Sequence, residues 1–178
     1  AQLRGGGVGA TARGTARRVW EGVARGGALC VDLGGVAGRA SPENEDFARE
    51  LFELHTVGAK HYLNHLHTKW RDVPGALEGK PAGYIDQDVY EAARSFTGWT
   101  IENGEEDDEG AKRPLTGKFM LREVWHDPYQ KRVLATEFDP QRPALEDGKR
   151  VLDLVARHPA TAQHIAEKWC RRFVSDDP

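Results

Sequence analysis

The stretch SPENEDFARELFELHTVG, from Ser41 to Gly58, carries the start and stop signals of a helix together with a wide apolar face. Ser41 and Asn44 offer N-cap oxygens, and Pro42 suits a first helical position. Gly58 suits the left-handed residue that follows a last turn. The pattern predicts a helix of about four turns, which we expect to be the central helix of the fold.

Apolar side chains of this stretch fall on adjoining stripes of the predicted helix, so it is expected to be covered on more than one side. They are Phe47, Ala48, Leu51, Phe52 and Leu54. Three titratable side chains, Glu50, Glu53 and His55, therefore lie near packed surface. Buried Glu and His are costly unless they are paired, which makes them candidates for a functional site.

Length and composition indicate one soluble, folded domain. The chain has 178 residues, of which 39% are hydrophobic and 30% charged, and it includes five Trp, six Phe and four Tyr. This is too much aromatic material for a disordered chain, and no apolar run is long enough for a membrane span. A net charge of -3 gives no general attraction to nucleic acid or anionic lipid. We therefore predict no nucleic-acid partner and no membrane span.

The two cysteines and the chain ends give weaker signals. Cys30 and Cys170 belong to no CxxC pair, so two buried thiols and one long-range disulfide both remain open. The chain begins AQLR without an initiator Met and stops directly after SDDP, so we expect a fragment or processed form.

Helical periodicity covers most of the chain. We predict a flexible Gly-rich lead-in over residues 1–14 and a helical domain over residues 15–178. Besides the central helix, the predicted helices are Thr15 to Ala24, Ala59 to Trp70, one capped by Asp86 and stopped by Gly98, one from Pro143 onwards, and Pro159 to about Val174.

One region departs from the helical pattern. Short alternating or β-branched runs, Lys118 to Trp125 and Arg132 to Phe138, flank the sequence WHDPYQK. They predict one antiparallel β-hairpin whose turn carries His126 and Asp127. The predicted fold class is therefore mainly α, a single helical domain with one small antiparallel β-hairpin. Five side chains are expected to share its core: Phe47, Leu51, Leu54, Phe96 and Trp169.

Four ordered blocks of the sequence resemble the motifs of a bacterial family, the domain of unknown function 1800, from roughly Trp20 to Pro178. NEDFARELFELHTVG resembles the family signature NENFARELLELHTLG, with Asp46 where the motif shows Asn. The other blocks are GYIDQDVYEAARSFTGWTI, WHDPYQKRVL and HPATAQHIAEKWCRRFVSDDP.

The resemblance implies a mainly helical fold, an uncharacterised family, and a bacterial protein that is exported to the periplasm or the extracellular space. It further implies members that are longer on both sides and a sulfatase-like protein encoded nearby as a partner. It implies no known reaction.

Two hypotheses for function follow from the titratable residues. In the first, the domain is a helical binding or assembly module and its charges are structural. Arg49 is four residues from both Glu45 and Glu53, so helical ion pairs account for those charges, and His158 before Pro159 suits a helix cap.

In the second hypothesis, the domain is a metal-assisted or general acid/base hydrolase. Its catalytic residues are Glu50, His55, His126 and Asp127, and His55, His126 and His158 bind a divalent transition metal. Glu50 or Asp127 orients the imidazole rings. This hypothesis requires the three histidines to converge in one pocket, whereas the first leaves each ring bonded to its own local backbone.

Overall fold

The computed structural model describes residues 45–104, 106 and 110–177. The lead-in over residues 1–14 and the helix predicted over residues 15–24 lie outside these ranges, as does Cys30. Cys170 is half-buried and its thiol is free.

The described residues form four α-helices and two pairs of strands. The helices are α1 (Asp46–Glu50), α2 (Asp86–Phe96), α3 (Ala144–Arg157) and α4 (Pro159–Phe173). The strands are β1 (Trp99–Asn103), β2 (Leu115–Leu121), β3 (Lys131–Val133) and β4 (Thr136–Phe138). Helices predominate, as the mainly α prediction requires. No helix among these residues is long and apolar enough to cross a membrane.

The predicted central helix is shorter than expected and changes its pitch. After α1 the chain continues as a π-helical turn over Leu51–His55. Two hydrogen bonds close this wide turn: Thr56 Oγ1 donates to Leu51 O over 2.5 Å, and Gly58 N–H donates to Phe52 O over 2.8 Å. Gly58 has φ +90°, and a Cβ there would lie 2.7 Å from His164 Nδ1, so the position requires glycine.

The predicted core is confirmed in three positions and wrong in two. Phe47, Leu51 and Phe96 are buried, whereas Leu54 is 46% exposed and Trp169 is 65% exposed. Leu54 points outward because it lies inside the π-helical turn, where more residues per turn rotate a side chain away from its position in an α-helix. Trp169 is exposed because α4 buries only residues near its start, and the ring packs instead on its own helix, 5.5 Å from Phe173.

The single predicted hairpin is wrong, because its two strands have other partners. β2 pairs antiparallel with β1, and β3 pairs antiparallel with β4. The tight turn between β3 and β4 uses Leu134 and Ala135 at φ +48° and +58°, a conformation that usually calls for Asn or Gly. WHDPYQK therefore leads from one strand pair to the other, and its last residue, Lys131, begins β3.

The helix predicted over residues 59–70 is replaced by separate 3-10 turns at Ala59–His61, Asn64–Leu66 and Trp70–Asp72. The backbone of Leu63 donates to Tyr84 O over 2.8 Å, and the Tyr84 N–H donates to His61 O over 3.0 Å. These bonds hold the chain extended at this point and interrupt any helix.

Helix α2 lies at the centre of the described part and packs on α1, α3 and β3. Asp86 is its first residue and does not cap it; its carboxylate instead contacts Tyr62 and His67. Asp88 ties the helix to the β3–β4 turn, because its buried carboxylate accepts the N–H groups of Ile85 at 3.0 Å and Leu134 at 2.7 Å.

Candidate functional site

The end of α2 positions His126 and Asp127. Thr97 Oγ1 donates to Arg94 O over 2.6 Å and accepts the N–H of Asp127 over 2.8 Å. His126 Nδ1 lies 3.0 Å from Thr97 O. Gly98 makes this approach feasible, because a Cβ at its φ of +88° would lie 2.6 Å from Arg122 O. The glycine predicted to stop α2 thus also admits the segment that carries His126.

Both carboxylate oxygens of Asp127 are engaged by protein groups. Arg94 donates to them in a bidentate arrangement, with Nε 2.8 Å from Oδ2 and Nη2 3.0 Å from Oδ1. The N–H of Tyr129 also donates to Oδ1 over 2.9 Å. Burial raises the pKa of Asp127, but the hydrogen bonds from Arg94 and Tyr129 outweigh it and hold the pKa below its usual value. The Asp127 carboxylate thus has a structural role, because it links the Arg94 side chain on α2 to the backbone of Tyr129.

Lys131 and Asp147 form a buried ion pair beneath the same segment. Lys131 Nζ donates to Asp147 Oδ2 over 2.8 Å, to Asp127 O over 2.6 Å and to Tyr129 O over 3.0 Å. All three ammonium hydrogens therefore have acceptors. Burial raises the pKa of Asp147, but the His126 ring and the Lys131 ammonium outweigh it and lower the pKa overall.

His126 and Arg142 complete this charged cluster at longer distances. His126 Nε2 lies 3.4 Å from Asp147 Oδ2, and Arg142 Nε lies 3.4 Å from Asp147 Oδ1. His126 Nε2, Arg142 Nε and Asp147 Oδ1 are buried and have no hydrogen-bond partner within the described part of the chain. Polar atoms left in this way are normally satisfied by a water or a ligand.

A cleft of about 460 Å³ lies beside this cluster and is lined by Glu123, His126, Gln141 and Arg142, among others. The His126 ring reaches the cleft, but Nδ1 faces Thr97 and Nε2 faces Asp147. A general base needs a ring nitrogen within hydrogen-bond reach of its substrate. His126 can therefore exchange a proton with a molecule in the cleft only if its ring turns or if a water molecule carries the proton between them.

His158 caps α4 and has neither ring nitrogen available. Its Nδ1 accepts the N–H of Ala160 over 3.2 Å, and its Nε2 lies 2.9 Å from Pro81 O. A neutral ring with the proton on Nε2 satisfies both contacts, and burial lowers the pKa of His158 in agreement with that state. The suggestion that His158 is a helix cap is thus confirmed.

Glu50 and His55 lie in α1 and the π-helical turn, where both are half-buried. Neither lines the cleft beside His126. Within residues 45–104, 106 and 110–177, no group of three or more His, Cys, Asp or Glu side chains is placed to hold a metal ion. His55, His126 and His158 are therefore not placed as the three ligands of one metal ion.

A second cleft, of about 590 Å³, lies beside His158, where the Gly79–Pro81 loop meets the β3–β4 turn and the junction of α3 with α4. Its apolar surface comes from Leu134, Leu154, Pro81 and Pro159. Its positive charge comes from Lys80, Arg150 and Arg157. We name this the Arg150 cleft.

Four residues that organise these two sites were not predicted from the sequence: Arg94, Lys131 and Asp147 around His126 and Asp127, and Arg150 in the second cleft. One signal was present: Asp147 lies at i, i+4 and i+8 spacing with Val151 and Val155, on the inward stripe of α3. A carboxylate in an apolar stripe indicates a buried partner. The partner, Lys131, is not indicated by spacing.

Comparison with known proteins identifies a family. A family model described as "Protein of unknown function (DUF1800)" matches residues 8–178 of the chain. No curated protein and no solved structure matches it. The matched range contains all four blocks that carry the resemblance noted above, and confirms the family predicted from them. The chain belongs to the DUF1800 family.

Proposed function

We propose that this domain is a helical binding module and that its ligand site is the Arg150 cleft. The observation that carries the proposal is the cleft itself, about 590 Å³ of space bounded by two helices, a hairpin turn and an anchored loop. Pockets for small organic ligands typically measure roughly 300 to 1,000 Å³ and are largely preformed.

The loop that closes one side of the cleft is held at both ends. Lys80 N–H donates to Gly75 O over 2.8 Å, and Ala82 N–H donates to Pro74 O over 2.8 Å. His158 bonds the loop at Pro81 O from the other side. A site whose walls are fixed in this way loses little entropy when a ligand binds.

The ion pairs and hydrogen bonds of several titratable side chains also favour a binding module over an enzyme. Arg49 pairs with Glu45 at 3.4 Å and with Asp86 at 3.5 Å. Asp127 is held by Arg94, and both nitrogens of His158 are bonded. These partners give Arg49, Asp127 and His158 structural roles that require no reaction.

A screen with small aromatic molecules tests the proposal. Benzoate, benzamide, benzamidine and indole are added to the protein, and saturation-transfer NMR reports which of them bind. We expect at least one to bind, and Thr136→Trp, which fills the cleft from β4, to abolish the signal. Tyr129→Trp is the matched control, because Tyr129 is 71% exposed and does not line the cleft. A signal that survives Thr136→Trp, or no signal from any of the four, would count against a binding site there.

A general acid/base hydrolase that acts through His126 remains the second candidate. It is favoured by His126 Nε2, which is buried without a hydrogen-bond partner in the described residues, 3.4 Å from Asp147 and next to a cleft. Chromogenic carboxylate and phosphate esters provide the test. Turnover that His126→Gln abolishes, in a variant that keeps its melting temperature, would favour the hydrolase over the binding module.

A further inference from the structure

The Arg150 cleft carries an excess of positive charge that the described protein does not neutralise. Resting on the proposed binding function, we infer that its ligand is a small organic anion, a carboxylate or phosphate joined to an apolar group. The cleft is lined by three cationic side chains, Lys80, Arg150 and Arg157, and by one carboxylate, Asp153.

Arg150 is the central cation. Its guanidinium lies over the buried Phe138 ring, 4.7 Å from the centroid, and no carboxylate among the described residues pairs with it. The acidic neighbours on its own helix have other partners, since Glu146 pairs with Lys149 at 3.2 Å and Asp147 with Lys131 at 2.8 Å. A guanidinium that rests over an aromatic ring keeps its charge and its N–H donors, which suit the planar oxygens of a carboxylate.

Lys80 and Arg157 place further charge at the rim. The backbone of Lys80 is fixed by the tight turn at Gly75, and its exposed ammonium has no carboxylate partner in the described ranges. Arg157 is 65% exposed and pairs with Asp153 only at 3.9 Å. An i,i+4 pair of this kind is weak in water, so an anionic ligand can compete for the guanidinium.

The floor of the cleft favours an apolar group beside the anion. Leu134 and Leu154 contribute hydrocarbon surface, and Pro81 and Pro159 add ring carbons. His158 contributes no charge that would change this balance, because its ring is buried and bonded at both nitrogens. Apolar walls with a few fixed polar groups are the usual composition of small-molecule sites.

A set of matched ligands tests two questions separately: whether the cleft binds a small molecule, and whether it prefers an anion. Benzoate, benzamide and benzamidine share a ring and a planar substituent and differ in charge, and phenyl phosphate replaces the carboxylate with a phosphate. We expect benzoate or phenyl phosphate to bind at least about tenfold more tightly than benzamide in titration calorimetry, as charge-assisted hydrogen bonds from arginine require. The stronger of the two anions identifies the acidic group.

Two variants that each remove one positive charge provide the comparison. Arg150→Gln should remove most of the anion preference, whereas Lys118→Gln should leave it within about twofold, because Lys118 is exposed on β2 and does not line the cleft. Circular dichroism confirms that both variants fold.

Two outcomes would overturn the inference. Benzamide or benzamidine binding in the cleft as tightly as the anions would refute the anionic ligand class and leave the proposed binding function standing. No binding by any of the four molecules at millimolar concentration would refute both.

Discussion

The Lys131 ammonium lies 2.8 Å from Asp147 Oδ2, and each side chain exposes 1% of its surface. This ion pair joins the connection that carries His126 and Asp127 to the inward face of α3. Two charges can lie in the interior because Lys131 finds two further acceptors in the backbone oxygens of Asp127 and Tyr129. The pair therefore fixes the charged cluster in place.

Lys131→Met tests the role of this pair. The substitution leaves the Asp147 carboxylate buried without its main counter-charge, so the free energy of unfolding should fall by ~3 to 5 kcal/mol. Urea denaturation measures the loss. Lys149→Met is the control on the outer face of α3 and should cost under ~0.5 kcal/mol, because partly exposed ion pairs contribute little. Equal effects from the two variants would contradict a structural role for the Lys131–Asp147 pair.

Gly98 is predicted to tolerate no side chain. Its φ is +88°, and a Cβ would lie 2.6 Å from Arg122 O, so Gly98→Ala combines an unfavourable backbone conformation with a collision against backbone. Gly117 has φ +66° with nothing within 4 Å of a Cβ, so Gly117→Ala carries only the conformational cost of ~1 to 2 kcal/mol. Thermal denaturation should show Gly98→Ala to be clearly the more destabilising substitution. Similar melting temperatures would mean that the chain relaxes around Arg122 without cost.

The pH dependence of stability should carry a signature of Asp88. Burial raises the pKa of Asp88 to about 6, although the N–H groups of Ile85 and Leu134 oppose the shift. Because the folded state then binds this proton more tightly than the unfolded state, the contribution is fully present below about pH 4 and is lost as the pH rises through about 6.

Asp88→Asn removes this titration, so the comparison isolates it. The free energy of unfolding of the wild-type protein minus that of Asp88→Asn should be more positive at pH 4.5 than at pH 7.5, by ~1 to 3 kcal/mol. Urea denaturation at the two pH values measures it. A difference that stays constant, or that grows towards pH 7.5, would show that Asp88 stays ionised and is stabilised by its two backbone donors.

Leu51 and Leu54 form a matched pair on the same stretch. Leu51 is 1% exposed and Leu54 is 46% exposed. Leu51→Ala should cost ~2 to 5 kcal/mol of unfolding free energy because it opens a cavity, whereas Leu54→Ala should cost under ~1 kcal/mol. Denaturant unfolding of both variants measures this. A larger loss from Leu54→Ala would mean that the helical pitch of the stretch continues unchanged to His55.

The sequence predicted the family, the mainly helical class and the extents of α3 and α4 closely, because those helices have strong apolar periodicity and proline or histidine at their ends. It placed Leu54 and Trp169 in the core wrongly. Periodicity at 3.6 residues per turn does not register a π-helical turn, and an apolar stripe on α4 does not reveal which part of the helix meets a neighbour.

The strand pairing and the site were less accessible to sequence. The β3–β4 turn places Leu134 and Ala135 at positive φ, so it lacks the Asn-Gly signal by which such hairpins are recognised. The Arg150 cleft is assembled from a loop, a turn and two helix ends that lie up to 80 residues apart. Only the folded chain brings those cations together, whereas His126 and His158, which drew attention in the sequence, have separate local partners.

Mapping of amide chemical shifts tests the central claim most directly. The protein labelled with nitrogen-15 is titrated with benzoate and with phenyl phosphate, and the amides that shift are located on the structure. Our account predicts that they cluster around the Arg150 cleft, at Gly79, Thr136, Arg150 and Arg157. Shifts that cluster instead around Glu123, His126 and Gln141 would contradict it and direct attention to acid/base chemistry at the cleft beside His126.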